Sequence, residues 1–251
     1  MRGLFVTGTD TGVGKTVLAA SIVAALRARG ERVRPLKPVL SGLDEPSDPA
    51  WPPDHELLAR AGGVDPDTVA ILRYGPAVSP HLAAALKGEP IDPRALRQQI
   101  EATANNGETV VVEGVGGLLV PLAPGYDVRC LARDLDLGVV IAARPGLGTI
   151  NHTLLTLEAA RRAHLDVVSV VLTPWPEVPT TIERSNRDSI AGLGAVPVAT
   201  LPLVARATPE HLAAAGATLP LAQWLSGPRY VTEFESLGRS QAHATSANSR
   251  A

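Results

Sequence analysis

A glycine-rich run near the start of the chain, residues 8–16, has the residue types needed to bind phosphate groups. It reads Gly-Thr-Asp-Thr-Gly-Val-Gly-Lys-Thr and stands between an apolar strand-like stretch, residues 4–6, and a helix-like apolar run that begins at Val17. At such a strand-to-helix turn, glycines let backbone N–H groups point at phosphate oxygens. Lys15 would add a charge near the β- and γ-phosphates, and the Thr16 hydroxyl could bind Mg²⁺. The run therefore predicts a nucleoside triphosphate site.

Two further residues carry charges at places where a parallel sheet binds its ligands. Glu113 follows the apolar run Val110-Val111-Val112 and precedes glycines at positions 114, 116 and 117. Open α/β sheets bind ligands at the carboxyl ends of their strands, so Glu113 is a candidate Mg²⁺ ligand; a carboxylate that only caps the loop is the alternative. Lys37 stands between two prolines. Its charge could contact phosphate or the transition state, or the residue could have a purely structural role, and the sequence favours neither.

The composition excludes several classes of protein. With 45% hydrophobic but only 3% aromatic residues among 251, the core must consist of Ala, Val and Leu, which suits helices packed on a parallel sheet. A net charge of −2 gives no reason to expect nucleic acid or an anionic membrane as a partner. Cys130 is the only cysteine, so no intrachain disulfide can form. The sequence shows neither a secretory signal nor an apolar run of about 18 residues, so a cytoplasmic location is expected.

Apolar strand-like runs alternate with helical patterns along the chain, which predicts an α/β fold. We expect a mostly parallel sheet of the P-loop NTPase type with helices on both faces, in a single domain of residues 1–225. The predicted strands are residues 4–7, 33–39, 109–112, 138–142, 167–172 and 195–200. The predicted helices are residues 16–29, 93–105, 151–164 and 180–193.

Two segments depart from this alternation. Residues 41–87 are rich in proline and glycine, so a long irregular loop is expected there. Five acidic residues of this segment are candidates for a role at the site, and the sequence alone does not distinguish among them: Asp44, Glu45, Asp48, Asp54 and Glu56. Residues 226–251 are mostly small and polar, and disorder is expected in them.

Six short blocks make this sequence similar to the dethiobiotin synthetase family over about residues 3–225. They are residues 7–16, Lys37-Pro38-Val39 with Ser41-Gly42, Asp54, Ser79-Pro80-His81, residues 112–117 and residues 148–152. The resemblance implies an ATP-dependent ligase that closes the ureido ring of dethiobiotin from 7,8-diaminopelargonic acid (7,8-diaminononanoate) and CO₂. One amine forms a carbamate, which attacks the γ-phosphate of ATP. The second amine then displaces phosphate from the resulting carbamic–phosphoric anhydride, and ADP is the other product.

The resemblance also implies a role for each matching residue. Lys15, Lys37 and Thr11 would be the catalytic residues, the two lysines stabilising the transferring phosphoryl group and the carbamate. The implied ligands of Mg²⁺ are Thr16, Asp54 and Glu113. The implied contacts to the diamine or carbamate are Thr11, Lys37 and Ser41. The implied contacts to the nucleotide are the backbone of Gly12, Val13, Gly14, Lys15, Thr16 and Val17, and the loop residues Gly114, Val115 and Gly116.

In this family the active site is completed across a homodimer, and the resemblance implies the same arrangement here. The turn Gly148-Thr149-Ile150-Asn151 would bind the distal carboxylate of the partner's substrate. Free N–H groups at the positive end of a helix suit a carboxylate; Thr149 or Asn151 acting only as a helix cap is the alternative. Asn186 lies in the region that often adds another contact to that substrate.

One stretch departs from the pattern of the family. Many members have an Asn-Asp type of pair that reads the adenine edge where this chain has Thr173-Pro174, and proline has no N–H to donate. The base would then meet Thr173, Pro174 and the stretch Pro202-Leu203-Val204, which offer few side-chain amides. We therefore expect other nucleoside triphosphates to compete with ATP.

Three other kinds of nucleotide-binding protein compete with this interpretation. A regulatory dimeric ATPase of the partition or nitrogenase-iron-protein type has a lysine five positions before Gly14, where this chain has Thr9. A scaffolding module without turnover would not need Lys37 together with acidic partners. A cobyric-acid-type synthetase would bring a glutaminase domain with a nucleophilic cysteine, and Cys130 has no such context.

Overall fold

Strands and helices alternate along the chain in a computed structural model that describes residues 1–46, 48, 50–104 and 107–226. The strands are β1 (Gly3–Gly8), β2 (Val33–Leu40), β3 (Ala70–Arg73), β4 (Thr109–Glu113), β5 (Pro121–Ala123), β6 (Tyr126–Asp127), β7 (Gly138–Ala143), β8 (Val167–Trp175) and β9 (Val198–Pro202). The helices are α1 (Lys15–Ala28), α2 (Asp54–Gly62), α3 (Pro80–Lys87), α4 (Pro93–Ala104), α5 (Val128–Leu135), α6 (Thr149–Arg162), α7 (Thr181–Gly194), α8 (Pro209–Gly216) and α9 (Leu221–Ser226).

Seven of the strands form one sheet in the order β3-β2-β4-β1-β7-β8-β9, and all neighbouring strands in it are parallel. The register places Phe5 of β1 between Val112 of β4 and Val139 of β7. Glu113, at the end of β4, lies opposite Val6. Because parallel strands end at one edge, the loop after β1 and the carboxylate of β4 are brought side by side.

Two apolar layers cover the sheet, as the continuous apolar strands require. Leu4 and Val6 pack in the layer that contains α1, α2, α8 and α9, whereas Phe5 points into the layer that contains α3 to α7. Alternation of neighbouring strand residues between the faces produces this division. Small residues let the helices approach closely: a Cβ atom on Gly216 of α8 would lie 2.0 Å from the backbone oxygen of Ser21 in α1.

The predicted α/β class and parallel sheet are confirmed. All six predicted strands and all four predicted helices are present, with ends that differ by a few residues; residue 105, the predicted end of one helix, lies outside the described residues. Asp92 caps α4 as its position before Pro93 suggests, accepting hydrogen bonds from the N–H groups of Arg94 and Ala95. The predicted tail lies outside the described residues from residue 227 onward.

The expectation of an irregular loop over residues 41–87 is wrong, because that segment contains α2, β3 and α3. Three of its prolines stand at the start of elements instead of breaking them. Pro53 precedes α2, Pro66 opens a 3₁₀ turn and Pro80 is the first residue of α3. Proline is favoured at the first helical position because its fixed φ suits a helix and its missing N–H is not needed there. Among the described residues, no helix has the length and apolar character needed to cross a membrane.

Candidate active site

The phosphate loop has the backbone conformation that its glycines predict. Gly12 and Gly14 have φ values of 70° and 87°, in the left-handed region that residues with a Cβ atom rarely adopt. The loop is tied at two points to β7 and the residue that follows it: the Thr9 N–H donates to the Ala142 carbonyl at 3.0 Å, and the Arg144 guanidinium donates to the Gly12 carbonyl at 3.2 Å. These contacts fix the loop between β1 and α1.

Lys15 begins α1 and is buried beneath the loop. Its Nζ donates to the Asp10 carbonyl at 2.8 Å, so the side chain folds back over the turn it belongs to. Burial, with a smaller contribution from the nearby Lys37 charge, lowers the pKa of this ammonium group below its ordinary value. The charge is therefore held close to the N–H groups of the loop, where a phosphate would bind.

A cluster of four polar side chains lies next to the loop. The Lys37 Nζ donates to Asp54 Oδ2 at 2.7 Å and to Glu113 Oε1 at 2.5 Å. The Thr16 hydroxyl lies 2.8 Å from Asp54 Oδ1 and 2.9 Å from Glu113 Oε1. Its single proton can be donated to only one of them at a time. The elements that meet here are α1, β2, α2 and β4, which are far apart in the sequence.

Burial sets the electrostatics of this cluster. Glu113 is 0% and Lys37 is 2% exposed, and burial raises the pKa of the Glu113 carboxyl. Burial alone would lower the pKa of Lys37, but the Glu113 and Asp54 carboxylates outweigh it and raise that pKa. Burial would likewise raise the pKa of Asp54, but the Lys37 ammonium holds it below its ordinary value. A buried cation is thus paired with two carboxylates, as buried charges require.

Glu113 also has an unsatisfied oxygen. Its Oε2 is buried and has no hydrogen-bond partner among the described residues, although such an atom ordinarily finds one. Carboxylate and hydroxyl oxygens are the donors that Mg²⁺ prefers, and Mg²⁺ sites commonly use one or two carboxylates together with substrate phosphates. Thr16, Asp54 and Glu113 therefore fit Mg²⁺. The described residues hold no group of three or more His, Cys, Asp or Glu side chains suited to a metal.

A cavity of about 790 Å³ opens beside this cluster. Its polar lining includes the predicted residues Thr11, Lys15 and Lys37, together with Ser41, which follows the end of β2. The apolar part of its lining includes Leu40, Trp51, Pro52, Leu57, Val78, Val115 and Val120. The predicted residues Thr16, Asp54, Glu113 and Gly116 also line the cavity. The size is in the range of small-molecule sites, and a charged end with an apolar side suits an amphiphilic substrate.

The turn before α6 lies outside that cavity. α6 begins at Thr149 after Gly148, which has a φ of 89°, and no side chain caps this helix end. The Thr149 hydroxyl lies 3.5 Å from that of Thr153, so the capping alternative for Thr149 is not what the structure shows. Asn151 is exposed. Among the described residues, the helix end therefore has no side-chain cap at the position where the sequence predicts an anion receptor.

Asn186 has a structural contact that the sequence does not reveal. It is buried on α7, and its amide group donates to the carbonyls of Pro145 and Gly146 at 2.9 and 3.0 Å. These bonds tie the turn before α6 to α7. The predicted contact of Asn186 with a partner's substrate remains a prediction.

The residues predicted to meet the base lie beyond the other side of the phosphate loop. Thr173 is buried, and a Cβ atom on Gly14 would lie 3.0 Å from its methyl group, so it packs directly under the loop. Pro174 is exposed, Leu203 is 71% exposed and Val204 is buried. Pro202 pairs with Trp175 at the end of β8. This surface offers apolar side chains near the loop.

Arg144 and Trp51 are among the residues at the site that the sequence analysis missed. Arg144 contacts the loop across 132 positions of sequence, so no local pattern identifies it. Trp51 lines the cavity from the segment predicted to be irregular. The only sequence signal for Trp51 is its position among prolines, close to the candidate acid Asp54.

The fold is shared with other nucleotide-binding proteins. Residues 2–211 match the model of a family described as AAA domain. The structure of cobyrinic acid a,c-diamide synthase from Mycobacterium smegmatis, with a bound ATP analog and magnesium, superposes with a TM-score of 0.53. It covers 91% of this chain and 98% of the other at 20% identity, a similarity that concerns the fold alone.

A phosphate loop at the carboxyl edge of a parallel sheet, beside a buried lysine–carboxylate cluster, defines a P-loop nucleotide-binding protein. The ATP-dependent dethiobiotin synthetase BioD of Haloferax mediterranei is 40% identical over 225 residues, covering 88% of this chain and 93% of that protein. The enzyme of the same name from Mycobacterium avium is 41% identical over 198 residues, 78% and 85% of the two chains. The chain belongs to the ATP-dependent dethiobiotin synthetase family, and it is a ligase of biotin biosynthesis.

Proposed function

We propose that this chain is a cytoplasmic, magnesium-dependent homodimer that makes dethiobiotin from 7,8-diaminopelargonic acid, CO₂ and ATP, with release of ADP and phosphate. The observation that carries the proposal is the cluster of Lys37, Asp54 and Glu113 beside the phosphate loop, at the charged end of a cavity. A protein that only binds nucleotide has no need of a second buried lysine at the γ-phosphate end.

The chemistry asks the protein mainly to position groups and to neutralise charge. One amine of the diamine adds to CO₂ and loses a proton, giving a carbamate. A carbamate oxygen attacks the γ-phosphorus of ATP, the bond to the β-phosphate oxygen breaks, and ADP leaves. The second amine attacks the carbonyl of the mixed anhydride and expels phosphate, which closes the ring. Such phosphoryl transfer is catalysed chiefly by orientation and electrostatic stabilisation.

Two lysines can neutralise the anionic groups that form in these successive steps. Lys15 lies within the phosphate loop and Lys37 on the facing strand β2, so the transferring phosphoryl group would lie between two ammonium groups. The backbone N–H groups of residues 12–17 would hold the triphosphate. Thr11 and Ser41, both on the cavity wall, would contact the diamine or its carbamate. Gly114, Val115 and Gly116 let the loop after β4 approach the nucleotide closely.

Mg²⁺ would be held by Thr16, Asp54 and Glu113. The support is the chemistry of the donor set and the buried Glu113 Oε2, which has no hydrogen-bond partner among residues that the structure describes. When bound, the ion would supply positive charge that offsets the charge developing on the phosphate oxygens.

The homodimer is supported by the surface of α6. Leu147, in the turn before the helix, is 96% exposed, and Leu155 is 57% exposed. Asn151 and Leu155 are four residues apart on α6, so these two share one side of the helix. Apolar side chains exposed in this way favour a protein partner. A second copy seated here would receive the residues Gly148, Thr149, Ile150 and Asn151 as the receptor for its substrate's carboxylate.

Base selectivity would be weak. Thr173, Pro174 and the stretch Pro202-Leu203-Val204 would form the surface next to the base, and an apolar slot separates similar rings by only about 1–3 kcal/mol. The contacts to the triphosphate are independent of the base and would dominate affinity through charge-assisted hydrogen bonds.

The test of the function is direct formation of product. Purified protein is mixed with the diamine, bicarbonate, Mg²⁺ and a triphosphate, and dethiobiotin is measured by mass spectrometry alongside phosphate release. We expect dethiobiotin and phosphate in equal amounts, and neither when the diamine is left out. Absence of dethiobiotin with every common triphosphate would rule out the proposed reaction.

A further inference from the structure

The proposed metal site already holds a cation, the ammonium group of Lys37. Its Nζ lies 2.5 Å from Glu113 Oε1 and 2.7 Å from Asp54 Oδ2, and the side chain is almost wholly buried. These carboxylates are two of the three groups proposed to bind Mg²⁺, so any exchange between the two cations rests on that proposed function. A divalent ion and an ammonium group cannot both sit between the same two carboxylates, because like charges repel strongly at such distances.

We propose that Mg²⁺ displaces the Lys37 ammonium from Asp54 and Glu113, and that Lys37 becomes free to contact the transferring phosphoryl group only when the metal is in place. Lys37 is then a resident counterion of the metal site as well as a catalytic residue.

The balance of charge supports this exchange. Lys15, Lys37, Asp54 and Glu113 carry two positive and two negative charges, so the site without metal is neutral overall. A triphosphate entering that site would meet a Lys37 whose charge is already neutralised by carboxylates. When a divalent ion takes over the carboxylates, the ion and both ammonium groups face the phosphates. The metal therefore changes what Lys37 can do.

The burial of Lys37 makes metal and triphosphate depend on each other. Moving a buried ammonium away from its carboxylates leaves it without a partner, which is strongly unfavourable, so the metal alone binds weakly. A triphosphate gives the displaced ammonium a new anionic partner. Each ligand therefore strengthens the binding of the other, and the coupling is reciprocal.

Lys15 provides a matched control. It is a second buried lysine at the same site, but its Nζ donates to the Asp10 carbonyl and not to either carboxylate. Removing the charge of Lys15 lowers the general repulsion that a metal ion meets at the site. It does not remove an ammonium group from between Asp54 and Glu113, where the metal is proposed to bind. A difference between the two lysine variants therefore isolates the counterion role.

The first experiment measures binding of Mn²⁺, by calorimetry or paramagnetic resonance, to protein without nucleotide or diamine. Lys37→Met should bind Mn²⁺ about tenfold or more tightly than the wild type, within the usual range of coupling between sites. Lys15→Met should change the affinity much less. Unchanged or weaker binding by Lys37→Met overturns the proposal, and so does an equal gain in both variants, which would indicate general charge repulsion only.

The second experiment uses wild-type protein and so does not depend on the folding of a variant. Lysines are methylated with formaldehyde and a borohydride reductant, with and without Mg²⁺ at a concentration that saturates the site, and the Lys37 and Lys15 peptides are followed by mass spectrometry. Release from its carboxylates should make Lys37 react severalfold faster with Mg²⁺, while Lys15 stays the same. No acceleration at Lys37 overturns the proposal. Formation of dethiobiotin by the same preparation tests the reaction separately, so failure of the exchange and failure of the function are distinguishable.

Discussion

Gly216 in α8 is a position where one added methyl group should disturb both stability and nucleotide binding. A Cβ atom there would lie 2.0 Å from the Ser21 backbone oxygen and 2.6 Å from its carbonyl carbon. An ordinary contact begins near 3.4 Å, so the two helices must separate by about 1.4 Å, the difference between 3.4 and 2.0 Å. Backbone atoms cannot swing aside as a flexible side chain can.

The expected cost follows from overpacking of this kind, which typically destabilises a core by about 1–3 kcal/mol. At about 2 kcal/mol, Gly216→Ala should lower Tm by roughly 4–8 °C in a chain of this size. Gly192→Ala in α7 is the matched control, because a Cβ atom at Gly192 meets nothing within 4 Å. Alanine there should stabilise the helix by about 0.5–1 kcal/mol and raise Tm slightly.

The assay is thermal unfolding followed by circular dichroism, with urea unfolding as a second measure. Affinity for a non-hydrolysable ATP analogue should also fall in Gly216→Ala, because α1 begins with Lys15 and Thr16 and is one of the two helices that must separate. A Tm for Gly216→Ala equal to or above that of the wild type would refute the reasoning about this contact, as would a loss of stability in Gly192→Ala.

Four further predictions concern the site. Lys37→Ala should bind ATP but lose about 10²–10³ in kcat, as when one electrostatic donor is removed; turnover within about threefold of the wild type would assign Lys37 a structural role only. A confirmed heterodimer of Asn151→Ala and Lys15→Ala subunits should regain activity, because one hybrid site keeps both residues, and no regain would argue against the shared site. Values of kcat/KM for ATP, GTP, CTP and UTP should differ by no more than the discrimination that an apolar slot provides, and a preference for ATP above roughly a thousandfold would contradict this. Asp54 has a lowered pKa, so its ion pair should stabilise the fold above pH 3.8, the ordinary value, and lose this effect as the pH falls through the lowered pKa. The gap in urea midpoint between the wild type and Asp54→Asn should therefore be larger at pH 7 than at pH 3, and an equal gap would contradict the role of the pair.

Local patterns were sufficient to predict the phosphate loop and Glu113. Both follow buried strands, and parallel strands end at one edge, so a sequence that predicts the strands also predicts where these residues meet. Asp54 was different. It was one of five candidate acids in its segment, and only resemblance to a family selected it, because the burial of α2 that places it against Lys37 depends on contacts with other elements.

The remaining features depend on contacts distant in the sequence. Arg144 reaches the Gly12 carbonyl from the end of a strand that pairs with β1, and its own neighbourhood carries no motif for that contact. The same limit applies to α8, whose approach to α1 relies on a glycine at position 216 meeting a backbone atom at position 21. Patterns of a few residues cannot reveal such pairings.

The hydrogen bonds from Asn186 to the carbonyls of Pro145 and Gly146 have a thermodynamic consequence. They connect the turn before α6 to a neighbouring helix, so the entropy of ordering that turn is lost during folding and not when a ligand arrives. A ligand that meets an already ordered turn keeps a larger share of its contact energy as affinity. A ligand of the α6 N-terminus would therefore meet an ordered turn, and its affinity would depend mainly on its charge and fit.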